Sequence, residues 1–208
     1  MAMAGVVIVG VLLVIFSWNA RDVQALSPSF DDHWHIAYGI YDCRDESFQP
    51  NLADPQTPNS GIHTHGDGVV HLHPRSSDAT GNNAQMKRFL EAARVEISDS
   101  ELTFTDREAL SEDGAECDGE PAILQIARFD PGQAVAESVI TEDLGEYRFQ
   151  VDQESVVIAL APEGSVIPPP PEENVATASG ASPSILQTDG LNDLGGLGSG
   201  FDADGNLL

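Results

Sequence analysis

Six histidines occur in this 208-residue chain, and all of them stand in His-x-His pairs: His33-Trp34-His35, His63-Thr64-His65 and His71-Leu72-His73. In a β-strand, residues i and i+2 project from one face, so each pair offers two imidazoles together. Imidazole nitrogen is a ligand for zinc, copper, nickel and iron, and one short strand can supply two of the ligands a metal ion needs. The pattern therefore predicts a transition-metal site. Two competing readings are a hydrogen-bonded histidine ladder with a purely structural role, and a cluster that senses pH near the ordinary imidazole value of ~6.5.

Hairpin register decides whether the second and third pairs can meet. Gly66-Asp67-Gly68-Val69-Val70 separates them. Directly paired residues of antiparallel strands share a face. A loop of even length would put the two pairs on opposite faces. A three-residue loop, Gly66-Asp67-Gly68, pairs His63 with His71, and a five-residue loop pairs His65 with His71. Either odd loop gathers His63, His65, His71 and His73 on one face and Ile62, Val70 and Leu72 on the other. An apolar face of that kind is what pins a register, and Gly68 suits the left-handed position of a three-residue loop.

The first pair obeys the same rule. Trp34 and Ile36 belong to an apolar face, so His33 and His35 lie on the polar one. They join the hairpin four if the two elements are neighbours. Asp67, Asp31 and Asp32 are the nearby acidic candidates. Each could be a ligand, an acceptor for an imidazole N–H, or a base toward metal-bound water. Six imidazoles with no ligating thiol differ from a closed structural zinc site, and copper(II) or zinc becomes the leading cofactor in an exported domain.

The elements that must position these side chains can be read from periodicity. Residues 32–41 alternate, with Trp34, Ile36, Tyr38 and Ile40 on one side, and residues 62–73 alternate as well. Residues 83–93 form the clearest helix, with Asn82 or Asn83 as its cap and Met86, Phe89 and Leu90 on one side. Further strands are expected over 94–97, 102–105, 122–128, 147–151 and 156–160. The fold class is α+β: a mostly antiparallel sheet with one packed helix, preceded by a single N-terminal transmembrane helix.

Composition bounds the rest. Net charge is −25, from 34 acidic against 9 basic residues. That balance excludes nucleic acid as a partner and adhesion to anionic lipid, both of which need clustered Lys and Arg. Residues 2–18 are almost wholly apolar and span roughly 25 Å as a helix, near the short limit for crossing a bilayer. The alternative is a cleaved secretory signal ending at the small-residue pattern Val23-Gln24-Ala25. No Lys or Arg precedes the run and it is long for a signal core, which favours an anchor. Cys43 and Cys117 form an even pair behind an export signal and predict a disulfide. The chain divides into an anchor or signal segment (1–20), a tether (21–30), an exported histidine-rich domain (31–167), and a Pro-led acidic tail (168–208) expected to be disordered.

The start of His63-Thr64-His65-Gly66-Asp67 matches the His-x-His-x-Asp-His motif of metallo-β-lactamases. Gly68 stands at its sixth position and no histidine follows His73, so that family is excluded. A closer likeness is carried by Asp32-His-Trp-His35-Ile-Ala-Tyr-Gly-Ile-Tyr41, by Gly61-Ile-His-Thr-His-Gly-Asp-Gly-Val-Val-His-Leu-His-Pro74, and by Cys117-Asp-Gly-Glu-Pro121. These segments resemble a group of actinobacterial membrane-anchored, His-x-His-rich exported proteins. The resemblance implies an anchor, with the domain outside the cytoplasm, and brings no activity with it. The resulting expectation is a membrane-tethered module that senses, buffers or delivers copper or zinc. The alternatives are a metal-dependent hydrolase using the same site with Asp67 as base, and a non-catalytic envelope interaction protein.

Overall fold

The computed structural model describes residues 27–54, 61–75 and 77–180. The alternation of 32–41 becomes strand β1 (Trp34–Asp42). Its even-numbered side chains Ile36, Tyr38 and Ile40 enter the main core, with Trp34 packed at the core's edge. The expected 62–73 hairpin forms as β3 (Ile62–His63) and β4 (Val69–Leu72), after the short β2 (Ser47–Phe48) has folded back on β1. Helix α1 (Met86–Ala92) buries Met86, Phe89 and Leu90, the stripe its sequence predicts.

Three short strands, β5 (Glu96–Ile97), β6 (Glu101–Thr103) and β7 (Leu110–Ser111), make a separate small sheet. β8 (Glu116–Cys117), β9 (Glu120–Phe129), β10 (Ser138–Ile140) and β11 (Ser155–Pro162) return to the main sheet. Its order is β10-β9-β11-β1-β4-β3, with β2 and β8 attached at the side. Every pairing is antiparallel except β1 with β11. β11 is an unbroken apolar run buried on both faces, the signature of a central strand.

One face of the sheet meets α1 and the small sheet in the main core. The other face is covered in part by a second helix, α2 (Glu172–Ala178). Its Ala178 and Val175 sit on Ala37 and Val69, while Phe129, Val157, Ala159 and Ile167 form a neighbouring cluster. The fold is therefore α+β and mostly antiparallel, with two α-helices among the described residues where the periodicity of the domain showed one.

Two expectations are corrected. Composition after residue 167 predicted a disordered tail. Instead the proline run returns the chain to the sheet, and residues 172–180 belong to the folded unit. Asn174, buried in α2, donates from Nδ2 to the Tyr38 carbonyl at 2.9 Å and to Asn51 Oδ1 at 3.1 Å. Its seven residues, EENVATA, lack the large apolar stripe that marks α1, and its stability comes from this seat on β1. The expected strand 147–151 is instead a 3₁₀ turn (Leu144–Glu146) followed by one isolated bridge, Gln85 with Arg148. Tyr147 and Phe149 alternate into the core without making a ladder.

Cys43 and Cys117 form the expected disulfide, with Cα atoms 5.9 Å apart. It ties the end of β1 to β8 across 74 residues, worth on the order of 4 kcal/mol in the chain-entropy account. Among the described residues no helix is long and apolar enough to cross a membrane. The apolar segment 2–18 lies outside the described residues, as does the tail from 181 onward.

Gly68 joins the two halves of this architecture. Its φ is +77°, and a Cβ there would stand 2.1 Å from Asn174 Cγ. Gly68→Ala should therefore combine left-handed strain with a clash that unseats α2, costing about 3 kcal/mol. A urea denaturation curve of that variant checks it, and an unchanged midpoint would show that α2 is not seated as described.

Candidate metal centre

β4 lies between β1 and β3, so three adjacent strands each carry one histidine of a pair, His35, His71 and His63, with His33, His73 and His65 just beyond their ends. The hairpin takes the register of the three-residue loop: His63 pairs with His71 and Ile62 with Leu72. Gly66 and Gly68 both adopt positive φ, at +81° and +77°. Thr64 is fully buried, so the side chains flanking it, His63 and His65, emerge on the other side. On the far edge of β4, His35 pairs with His71 and Trp34 with Leu72. Continuing that register by one residue sets His33 beside His73.

All six imidazoles consequently share one surface. Ring centroids stand 3.7 Å apart for His33 and His73, 4.6 Å for His33 and His35, and 4.9 Å for His35 and His71. They stand 4.7 Å apart for His65 and His71, 4.8 Å for His63 and His65, and 5.4 Å for His63 and His73. The four hairpin histidines do lie on one face, and His33 and His35 join them. The tightest convergence, however, crosses from β4 to β1. His33, His35 and His73 each place one ligand atom within 4.8 Å of the others, the closest three-residue set among the described residues. Two nitrogens bound to one ion can be at most about 4.2 Å apart, twice the metal–imidazole distance. Small rotations of the exposed His33 ring and the half-buried His35 and His73 rings would close that gap. These three histidines lie close enough to bind a metal ion.

The electrostatics favour the neutral form of His73 and His35, the form that binds metal. Burial pushes the His73 pKa down to about 4, helped by the repulsion of His33, His63, His71 and His35. Burial also lowers His35, with His71 and His33 adding to the shift and Asp152 and Asp67 opposing it. His73 Nε2 is buried with no hydrogen-bond partner among the described residues. A buried polar atom of that kind is rare in a folded protein and calls for an explanation.

The acidic candidates separate. Asp67 Oδ2 accepts from His71 Nε2 at 2.9 Å, and its Oδ1 accepts from the Val69 amide at 3.2 Å. Burial opposes the Asp67 charge, but the hydrogen bond and charge of His71 and the Val69 amide hold its carboxyl below the usual range. Asp32 turns away and accepts from the Ser29 amide at 2.6 Å, and Asp31 is exposed. Two carboxylates escaped the sequence reading. Asp152 Oδ1 accepts from the His35 amide at 2.8 Å, and Asp54 Oδ2 stands 3.4 Å from His65 Nδ1. Asp152 comes from the turn before β11, 117 residues away, and no local pattern marks it.

Two cavities, of about 420 and 360 Å³, lie elsewhere. One is lined by Ser27, Ile140 and Arg148, and the other runs beside the disulfide. No known protein family matches the chain, and neither a curated protein nor a solved structure is detectably similar to it.

Proposed function

We propose that this chain is a membrane-tethered, extracytoplasmic metal-binding module that holds copper(II) or zinc for sensing, buffering or delivery. The convergence of His33, His35 and His73 on one sheet face carries the reading. Their imidazoles, without thiols, suit copper(II) and zinc. The disulfide fits an oxidising compartment, and the apolar segment 2–18 supplies the tether. The net charge of −25 favours cations near the surface.

Binding is favoured over hydrolysis by the state of Asp67. A hydrolytic reading needs it as a base beside metal-bound water, but it is engaged by His71 and the Val69 amide. Metal analysis of the full chain, isolated without chelators, is the direct test. Bound zinc or copper is expected, and re-adding the ion to stripped protein at 100 times Kd should stabilise it by about 2.7 kcal/mol. Isolation free of metal, together with no thermal shift on adding either ion, would sink the proposal.

A further inference from the structure

We infer that the same face holds a second metal ion, bound by His63, His65 and His71 and backed by Asp67 and Asp54. This rests on the reading of the face as a metal centre and extends it from one ion to two. The rings of the second trio lie about as close together as those of the first. Its ring centroids lie 4.7, 4.8 and 5.6 Å apart, against 3.7, 4.6 and 6.3 Å for His33, His35 and His73. What differs is orientation. His63 and His71 are stacked at 17°, so their rings must rotate before three nitrogens converge.

The carboxylates give the second trio its separate identity. An ionised carboxylate only accepts hydrogen bonds, so the His71 nitrogen 2.9 Å from Asp67 Oδ2, Nε2, carries the proton. In the neutral ring that leaves the Nδ1 lone pair for a metal. His65 Nδ1 faces Asp54 Oδ2 at 3.4 Å, which by the same logic leaves Nε2 as the ligand. A carboxylate behind a ligating histidine fixes the tautomer and raises ligand basicity, and metal sites commonly contain that arrangement. The two carboxylates also place negative charge directly against His71 and His65. Two divalent ions on one sheet repel each other, and Asp67 and Asp54 offset that repulsion where the second ion sits. Binding in two unequal steps follows.

Titration of the stripped full chain with zinc, read by calorimetry and by equilibrium dialysis, tests this. Two equivalents are expected, the second weaker. His65→Asn with His71→Asn should abolish the weaker step and keep the tighter one. His33→Asn with His73→Asn should do the reverse. Asp67→Asn, which still offers an oxygen to the Val69 amide, should weaken only the second step, by about 10–100-fold. Its unchanged thermal midpoint guards against a folding artefact. A single equivalent that survives His65→Asn with His71→Asn overturns the second ion and leaves the first standing. No binding by the native chain removes both.

Discussion

Replacing His33 and His73 together by Asn should reduce zinc affinity at the tighter step far beyond the roughly 10–100-fold that loss of an outer partner costs. Two of three converging ligands disappear, and their rings are the closest pair on the face, at 3.7 Å. Competition against a chromophoric zinc chelator measures the change. Retention of native affinity would refute the trio as the site. The native chain should also bind with an unusual pH profile. His73 is held down to about 4 and His35 is lowered too, so protons compete with the metal at lower pH than they do for ordinary imidazoles. The same shift has a cost for the metal-free form. Between about 6.5 and about 4, an unfolded chain takes up a proton at residue 73 that the folded chain refuses. Metal-free stability should therefore fall as pH drops through that window, and saturating zinc should offset the loss.

Much of this face was legible because strand chemistry has a period of 2. Trp34, Ile36, Tyr38 and Ile40 fixed which side of β1 was apolar, and the histidines had to take the other. In the hairpin, Ile62, Val70 and Leu72 excluded even loops, and Gly68 offered the positive φ that a three-residue loop requires. The choice of neighbour for β1 was not legible. Whether His33 and His35 meet β4 depends on a pairing between strands some 35 residues apart, and nothing in either segment names its partner. That pairing is what draws the tightest trio across two strands and leaves His63 and His65 toward the edge. Asp152 and α2 escaped for a related reason. Each acquires its role only when a distant part of the chain returns to β1, Asp152 at the His35 amide and Asn174 at the Tyr38 carbonyl.

The site is also stiffer than an exposed histidine patch need be. The ladder step below His35 and His71 is Ala37 with Val69, and that pair is capped by Ala178 and Val175 of α2. The imidazole layer therefore continues a packed surface. His35 and His71 sit on these strands, where ligands hold their positions better than on loops, and His33 and His73 lie one residue beyond the strand ends. At the other side, the turn before β11 grips β1 twice: His35 N–H donates to Asp152, and the Gln153 amide donates to the His35 carbonyl at 3.0 Å.

That turn is anchored by a buried charge, and Arg128→Met should expose how much depends on it. Glu154 is fully buried and accepts from Arg128 Nε at 2.8 Å, from the Gln150 amide at 3.0 Å and from the Tyr147 hydroxyl at 3.1 Å. Burial raises the Glu154 pKa, and the Gln150 amide and Arg128 pull it back. Removing the guanidinium strands a carboxylate in the core, which typically costs about 3–5 kcal/mol at neutral pH. The sign with pH follows from the raised value. A folded-state pKa above the unfolded one means the folded chain keeps a proton that the unfolded chain has released. The Glu154 contribution to stability is then greatest at low pH and declines as pH rises through the window between the two values. Arg128→Met moves the upper edge of that window further up, so its urea midpoint should fall steeply from pH 5 to 8, whereas the native midpoint changes much less. Adding Glu154→Gln, a neutral side chain that still accepts from the Gln150 amide, should remove the pH dependence and recover most of the loss. If Arg128→Met is no less stable than the native chain at pH 8, the ion pair is not what holds Asp152 and Gln153 against His35, and the anchoring must come from the β9–β11 ladder itself.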